Sequence, residues 1–442
     1  MNKATKLIAP ISVNLELTEM CNLRCFFCFC PTDSYKKRYS PISEEKRFNN
    51  LKRILELLNE SGVLEIRFFG GEFTITRHWR ELMKIASDLG FFISFVSNGT
   101  QFSDDDINFV KEIGVTECSI SLHGLKNIHE KITGVSDSFD KTVKTIQKLQ
   151  KQGINVAVPF TPNKLNLPTF ENFLLTMAHD YGIKNIGMNR LYKGCGDYDA
   201  LSMQDYQEIF EILHKVRIEY NLPVNFIDSF PRCLVPVKYW KYMVYCSQGI
   251  AFAQINYLGE VKNCASLSVG IGNIFKENLR VIWEEKLTKF RKLQHLPLSC
   301  RLCPIFCGGG CIATRTMERN FVADEFLKLP QEESFMEAIS VTMENYFKKW
   351  FFQIITKLSK TKERGNHRSI EDCPRIIHKY KIRQENKELY VGMFENKGML
   401  FLDQTAINVL RLLDGRHSLR EISKATNISV KEVENIINML IH

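Results

Sequence analysis

Leu15-Glu16-Leu17-Thr18-Glu19-Met20-Cys21-Asn22-Leu23-Arg24-Cys25-Phe26-Phe27-Cys28 is the stretch that decides how this chain reads. Its cysteines are spaced C-x3-C-x2-C, directly after an alternating run from Ile11 to Leu17 that predicts a β-strand. They therefore occupy a loop at the C-terminal end of a first strand, where an α/β barrel keeps its chemistry. Three thiolates on one short loop hold three irons of a cubane 4Fe-4S cluster and leave the fourth iron open to a ligand. A structural zinc loop competes, but zinc sites usually read as paired C-x2-C elements with a distant second pair. Cys30 lies outside the spacing and reads as an incidental thiol.

Working outward, the 442-residue chain is long enough for two or three domains. Its net charge of +9, from 59 basic against 50 acidic residues, is moderate and scattered, which argues against a dedicated nucleic-acid surface. Fourteen cysteines are too dilute for a disulfide scaffold and cluster in metal-ligand spacings. No signal peptide is visible, and the most apolar helix, around residues 350–355, is flanked by lysines and far shorter than the ~20 residues of a membrane span. A reducing cytoplasm is the consistent compartment.

From Ile11 to about Tyr220 the pattern repeats strand, loop, helix. Strands are predicted at Ile11–Leu17, Val63–Phe69, Phe91–Ser97, Val115–Leu122, Ile154–Phe160 and Ile183–Arg190. The helices between and after them are Ser43–Asn59, Arg77–Asp88, Asp104–Ile113, Phe139–Lys151, Pro168–Tyr181 and Ser202–Tyr220, the last opening on a good N-cap serine. Six βα units predict a partial (β/α)6 barrel with a parallel sheet, open on one side. Several strand ends carry polar motifs: Gly70-Gly71-Glu72, Ser97-Asn98-Gly99-Thr100, Ser119-Ile120-Ser121-Leu122-His123-Gly124, Asn163, and Arg190 before Cys195. Glycines let the backbone approach a neighbour closely. Ser121 and Asn163 read equally well as turn formers.

Between about Phe226 and Asp324 the periodicity weakens and cysteines become dense. They are Cys246, Cys264 after a Gly259 hairpin turn, and Cys300-x2-Cys303-x3-Cys307-x3-Cys311. Six exceed one zinc site and suit two clusters. A helix-rich stretch from Glu332 to Thr356 and a charged linker over residues 357–368 follow. Strands at Ile376–Arg383, Glu388–Phe394 and Gly398–Leu402, then helices at Gln404–Leu413, Ser418–Ala425 and Ser429–Ile441, predict a C-terminal winged-helix (α+β) domain. Its last helix sets Lys431 against Glu432 and Glu434, which disfavours DNA as the partner.

The cysteine triad with Phe27, the Gly-Gly-Glu segment and the strand-four serines resemble the radical S-adenosylmethionine (radical SAM) enzymes. The resemblance implies a 4Fe-4S cluster on Cys21, Cys25 and Cys28, whose open iron chelates S-adenosylmethionine. It also implies cofactor contacts from Phe27, Gly70, Gly71, Glu72, Ser97, Asn98, Ser121, Asn163 and Arg190. His123 departs from the family pattern, where an acid is usual, as does Phe73-Thr74 where a proline is common. The second cysteine group resembles the SPASM extension, with one or two auxiliary Fe-S clusters. That likeness implies an inner cluster on Cys246, Cys264 and Cys311 and an outer one on Cys300, Cys303 and Cys307. An x3 spacing where x5 is usual and a missing seventh cysteine leave Cys233, Asp324, Cys373 or a non-protein group as further ligands. The tail resembles PqqD-like elements that capture leader peptides by adding them as a strand.

The resemblances divide the chain into residues 1–222, a radical SAM partial barrel; 223–330, a SPASM-type module; 331–370, a helix and linker; and 371–442, a leader-recognition domain. They imply a maturase of a ribosomally made precursor peptide. Its reductant is flavodoxin or ferredoxin, with no nucleic acid and no membrane among its partners. Thioether or carbon-carbon crosslinking is the first expected outcome. Epimerisation with Cys195 as hydrogen donor, and activation of another protein, are the alternatives.

Overall fold

The computed structural model describes residues 7–28, 42–115, 117–191, 200–244, 246–266, 270–287, 296, 300, 307, 309–311, 373–376, 378–387, 389–395 and 398–441. They belong to two compact units, one drawn from residues 9–338 and the other from residues 1–8 with 339–442. The helix expected over residues 332–356, the linker after it, Cys195, Cys303 and Asp324 lie outside the described residues.

In the larger unit the alternation expected from sequence takes shape as β1 (Ser12–Glu16), α1 (Glu44–Glu60), β2 (Glu65–Phe69), α2 (Trp79–Asp88), β3 (Phe92–Ser97), α3 (Asp104–Glu112) and β4 (Glu117–Ile120). It continues through α4 (Lys126–Thr133), α5 (Ser138–Lys151), β5 (Asn155–Phe160), α6 (Phe170–Asp180), β6 (Ile186–Met188), α7 (Met203–Glu219) and β7 (Asn225–Phe226). Capping boxes start α3 at Ser103 and α7 at Ser202, each serine reciprocated by an aspartate three residues on. Helix α4 was not legible in advance. It is eight residues long, begins without a side-chain cap, and ends on Gly134 in the left-handed conformation.

The sheet runs β10-β9-β8-β1-β2-β3-β4-β5-β6-β7, where β8 (Phe252–Asn256), β9 (Glu260–Lys262) and β10 (Gly272–Asn273) come from the cysteine-rich segment. β8 pairs in parallel with β1, Glu16 opposite Asn256, and β7 pairs in parallel with β6. The parallel sheet is thus wider than six strands, because the chain beyond residue 222 adds a strand at each margin. The hairpin from β8 to β9 turns on Gly259 at φ 78°, as its sequence suggested.

Register separates two faces of this sheet. Val13 and Leu15 of β1, Ile66 and Phe68 of β2, and Phe95 of β3 are fully buried in one core with Leu51, Ile54, Leu55 and Leu58 of α1. Each such side chain contributes about 1.5–3 kcal/mol. The opposite face carries Asn14, Glu16, Glu65, Arg67 and Ser94, and several of its positions remain half-buried.

The smaller unit contains β11 (Tyr380–Gln384), β12 (Tyr390–Phe394) and β13 (Gly398–Leu402) in an antiparallel sheet, then α8 (Gln404–Arg411), α9 (Leu419–Thr426) and α10 (Val430–Ile441). Asp403, Ser418 and Ser429 accept the orphan N–H groups at the three helix starts. Leu402, Ile407, Leu410, Leu419, Ile422, Val433, Ile437 and Leu440 make its core. Val433, Ile437 and Leu440 of α10 are therefore spent on packing. The exposed large apolar side chains of this unit are Met399 and Phe401 on the edge strand β13 and Tyr380 on β11, the other edge.

Candidate cofactor and cluster sites

The loop from Thr18 to Cys28 leaves the end of β1 and is gripped from three sides. Gly71 N donates to Thr18 O and Glu72 N to Met20 O, both at 2.7 Å. A Cβ at Gly71 would stand 2.2 Å from Met20 O, and one at Gly70 2.4 Å from Thr18 O. Both glycines are needed for the approach of the protein's own cysteine loop. On another side α4 offers its last carbonyls: Arg24 N donates to Thr133 O at 2.8 Å and Phe26 N to Ile132 O at 3.4 Å.

The third grip comes from the end of β3. Glu72 is buried, and its carboxylate accepts from Ser97 Oγ at 2.9 Å, Thr74 Oγ1 at 2.7 Å and the backbone N–H of Asn98 at 2.7 Å. Burial pushes its carboxyl above the ordinary range against these hydrogen bonds. Asn98 in turn donates to Asn22 Oδ1 at 2.8 Å and points at Cys21 Sγ from 3.8 Å. Asn22 donates onward to Thr100 Oγ1 at 2.8 Å. In this structure Glu72, Ser97 and Asn98 form one polar network supporting Cys21.

The thiols of Cys21, Cys25 and Cys28 are close enough to disfavour one another's ionisation. With burial leading, this pushes Cys21 up to about 11 and Cys25 higher still. Among the described residues no three His, Cys, Asp or Glu side chains converge on a single ion. A cubane asks something different, because each cysteine addresses its own iron. The thiol triad on one loop meets that requirement. Loading it displaces protons, since thiolates are the ligands.

Phe27 packs edge-to-face on His123 with ring centroids 4.9 Å apart. His123 Nδ1 accepts the Thr161 N–H at 3.2 Å, and its own backbone N–H donates to His129 Nδ1 at 3.1 Å. Burial drops the His123 pKa to about 3, so the ring is neutral and carries its proton on Nε2. Sequence marked His123 only as a departure from pattern. Asn163 spends its side chain on its own turn, accepting from Leu165 N at 3.0 Å and donating to Thr161 O at 3.2 Å. Ser121 is half-buried, its N–H donating to Ser97 O at 2.9 Å.

A second group of thiols gathers Cys246, Cys264 and Cys311 with Asp228. Burial leads in pushing Cys264 up to about 12 and Cys311 well above its usual value, and the neighbouring acid groups add to both. Arg190 joins this group: its guanidinium lies 4.6 Å from the Phe230 ring centroid and its charge favours the Cys311 thiolate. Its backbone N–H donates to Asp228 Oδ2 at 2.6 Å. Cys307 accepts Ser229 Oγ at its carbonyl, Cys300 is half-buried, and Cys233 is exposed on the turn Arg232–Leu234. Cys373 belongs to the smaller unit and points at Arg416 O from 3.7 Å.

Residues 15–188 match the family described as the radical SAM superfamily, and residues 246–304 match the iron-sulfur cluster-binding domain named SPASM. The chain therefore carries a radical SAM domain, whose cofactors are a 4Fe-4S cluster and S-adenosylmethionine, followed by a SPASM domain that implies auxiliary Fe-S clusters.

Among individual proteins, the chain is 26% identical over 282 residues to the sporulation killing factor maturation protein SkfB of Bacillus subtilis. That match covers 61% of this chain and 64% of SkfB, so under two thirds of the relative is spanned. An AdoMet-dependent heme synthase of Oleidesulfovibrio alaskensis is 24% identical over 349 residues, covering 70% of this chain and 84% of the synthase. The crystal structure of Streptococcus suis SuiB bound to S-adenosylmethionine shares the fold at a TM-score of 0.56 and 16% identity, over 71% of this chain and 75% of SuiB. No helix among the described residues is long and apolar enough to cross a membrane.

Proposed function

We propose that this chain matures a ribosomally made precursor peptide, using the radical SAM domain to remove one hydrogen from a core residue and the C-terminal unit to hold the leader. The observation that carries the reading is the pairing of a radical SAM and SPASM chain related to a maturation protein with a unit whose edge strand β13 exposes Met399 and Phe401. SuiB, similar in fold, has been crystallised with its precursor peptide SuiA.

When bound, the cluster and S-adenosylmethionine supply a 5'-deoxyadenosyl radical. The protein's part is to hold and orient. Cys21, Cys25 and Cys28 ligate the cluster, Asn98 and Glu72 keep Cys21 in place, and Phe27 with His123 forms an apolar wall beside the loop. Cys246, Cys264 and Cys311 hold an inner auxiliary cluster, and Cys300, Cys303 and Cys307 an outer one. A flavodoxin or ferredoxin provides the electron.

The C-terminal unit reads as a winged helix. A leader strand adding to β13 satisfies main-chain groups at the sheet edge and covers Met399 and Phe401. The expected product is a thioether or carbon-carbon crosslink. Epimerisation with Cys195 as hydrogen donor is the second outcome.

The test is mass spectrometry of each short open reading frame beside the gene, co-expressed with the intact protein and with Cys25→Ala. Loss of two hydrogens that requires Cys25 supports crosslinking; unchanged mass with deuterium uptake from solvent supports epimerisation. No change in any candidate peptide, together with turnover of a tetrapyrrole like that of the heme synthase relative, would reject the peptide reading.

A further inference from the structure

The face of the sheet turned away from the helices carries a continuous polar rung. Strand register places Lys262 opposite Gln254, Gln254 opposite Asn14, Asn14 opposite Arg67 and Arg67 opposite Ser94, across β9, β8, β1, β2 and β3. One residue along in either direction the same strands turn apolar side chains to the helices, Val13 with Ile66 and Leu15 with Phe68, all fully buried. Asn14 and Arg67 are half-buried whereas Gln254, Lys262 and Ser94 are buried, so the rung is partly accessible at its middle.

This rung is incompletely paired. Asn14 Oδ1 and Gln254 Oε1 are buried acceptors with no hydrogen-bond partner among the described residues, a state that costs about 1–3 kcal/mol each. Gln254 Nε2 is used, donating to Glu16 Oε2 at 3.1 Å. Arg67 donates only through Nε, to Ser94 Oγ at 3.2 Å, while Ser94 donates on to Glu65 Oε1 at 2.6 Å. Serine so placed fixes the guanidinium plane, and among the described residues the two terminal nitrogens have no ion-pair partner. A planar fork of that kind matches a carboxylate with two parallel hydrogen bonds. The acids of this face are engaged elsewhere, Glu16 with Gln254 and Glu65 with the Ser94 hydroxyl, and neither forms an ion pair with the guanidinium of Arg67.

We propose that Arg67 receives a carboxylate of the peptide substrate, while Asn14 and Gln254 accept main-chain N–H groups of the same segment beside it. The inference rests on the peptide-maturase reading and narrows it: the segment entering the sheet's open face carries an acidic side chain close to the residue that loses hydrogen. Nothing about the rung needs the glycine-rich turn or the cysteine loop, so its residues discriminate substrate and leave the cofactor's own contacts alone.

The test uses the cluster-loaded full chain with S-adenosylmethionine and two capped probes, acetyl-Gly-Gly-Glu-Gly-Gly-amide and its Gln counterpart, compared by saturation-transfer NMR. The Glu probe is expected to bind about tenfold more tightly, the value of one charge-assisted pair. Arg67→Gln should bring the two probes to parity. Asn14→Asp, which sets a carboxylate opposite an untouched Arg67, should do the same and serves if Arg67→Gln does not fold. Equal binding of the probes to the unaltered protein, binding of neither, or a Glu preference that survives both substitutions would overturn the inference. A failed search for modified precursor peptides would sink the maturase reading while leaving a carboxylate preference at Arg67 intact, so the two failures are separable.

Discussion

The Glu72 carboxylate accepts the backbone N–H of Asn98 at 2.7 Å, and the Asn98 side chain reaches Cys21 of the cysteine loop. The ends of β2 and β3 are thereby tied to one thiol through a single buried acid. Asn98→Ala should leave the fold intact but lower affinity for the first cluster by about 10–100-fold, the usual cost of losing a partner behind a metal ligand. Iron content after anaerobic dialysis against a chelator measures it, and unchanged retention would refute the role.

Glu72→Gln replaces an acceptor by a group with two donors. Those donors face the N–H of Asn98 and hydroxyls of Ser97 and Thr74 that are now offering hydrogens to an acid. A cost of about 1–3 kcal/mol in stability is expected from the mismatched buried group. Thermal melting of the cluster-loaded protein reads it out.

Gly71→Ala should be among the most damaging small substitutions. Its Cβ would stand 2.2 Å from the Met20 carbonyl, and backbone on both sides has to move. Overpacking of this kind costs about 1–3 kcal/mol, and here it also displaces Cys21. The expected result is a folded chain with a depleted first cluster. Gly90→Ala is the comparison, because a Cβ there meets nothing within 4 Å and only its φ of 79° is strained.

Glu16 predicts a pH dependence. Desolvation raises its carboxyl to about 7, opposed by Lys262 and Gln254 and assisted by Glu19 and Glu260. The folded state therefore holds this proton more tightly than the unfolded chain. Its contribution is fully present below the ordinary carboxyl range and is lost as pH rises through about 7. The total is on the order of 3 kcal/mol. Melting temperatures followed from acid to alkaline pH should fall over that window in the unaltered protein, and Glu16→Gln should flatten the slope.

On the C-terminal unit, Met399→Lys with Phe401→Glu should leave melting of the unit within about 0.5 kcal/mol, since both side chains are exposed. The same pair should abolish capture of whichever leader the mass spectrometry identifies. Retained capture would move the docking site off β13.

How far the sequence carried varies with the kind of signal. The strands and helices of the larger unit were readable because Leu51, Leu55 and Leu58 on α1, and the alternation along β1, obey strict periods set by burial. The cysteine loop was readable because ligand spacing is local. Helix α4 was missed, since eight residues with His129, Ile132 and Thr133 inward and no capping side chain give a weak pattern. The strands β7 and β8 were not anticipated as partners of the parallel sheet. Pairing of Ser12 with Phe252 depends on chain folding over 240 residues, and no local pattern encodes it. Likewise Glu72 and Arg190 were legible as polar groups at strand ends, but their partners, Asn98 in one case and Phe230 with Asp228 in the other, come from tertiary packing.

β7 and β8 flank the six parallel strands on opposite sides, and the second thiol group draws on residues near both. Cys246 and Cys264 flank the β8–β9 hairpin, while Asp228 follows β7 and Arg190 follows β6. A cluster seated among them would act as a clasp. It closes a loop between distant parts of the chain, in the way a disulfide does, and restricts the unfolded ensemble accordingly. Loss of iron would then remove the link between these distant segments as well as a cofactor.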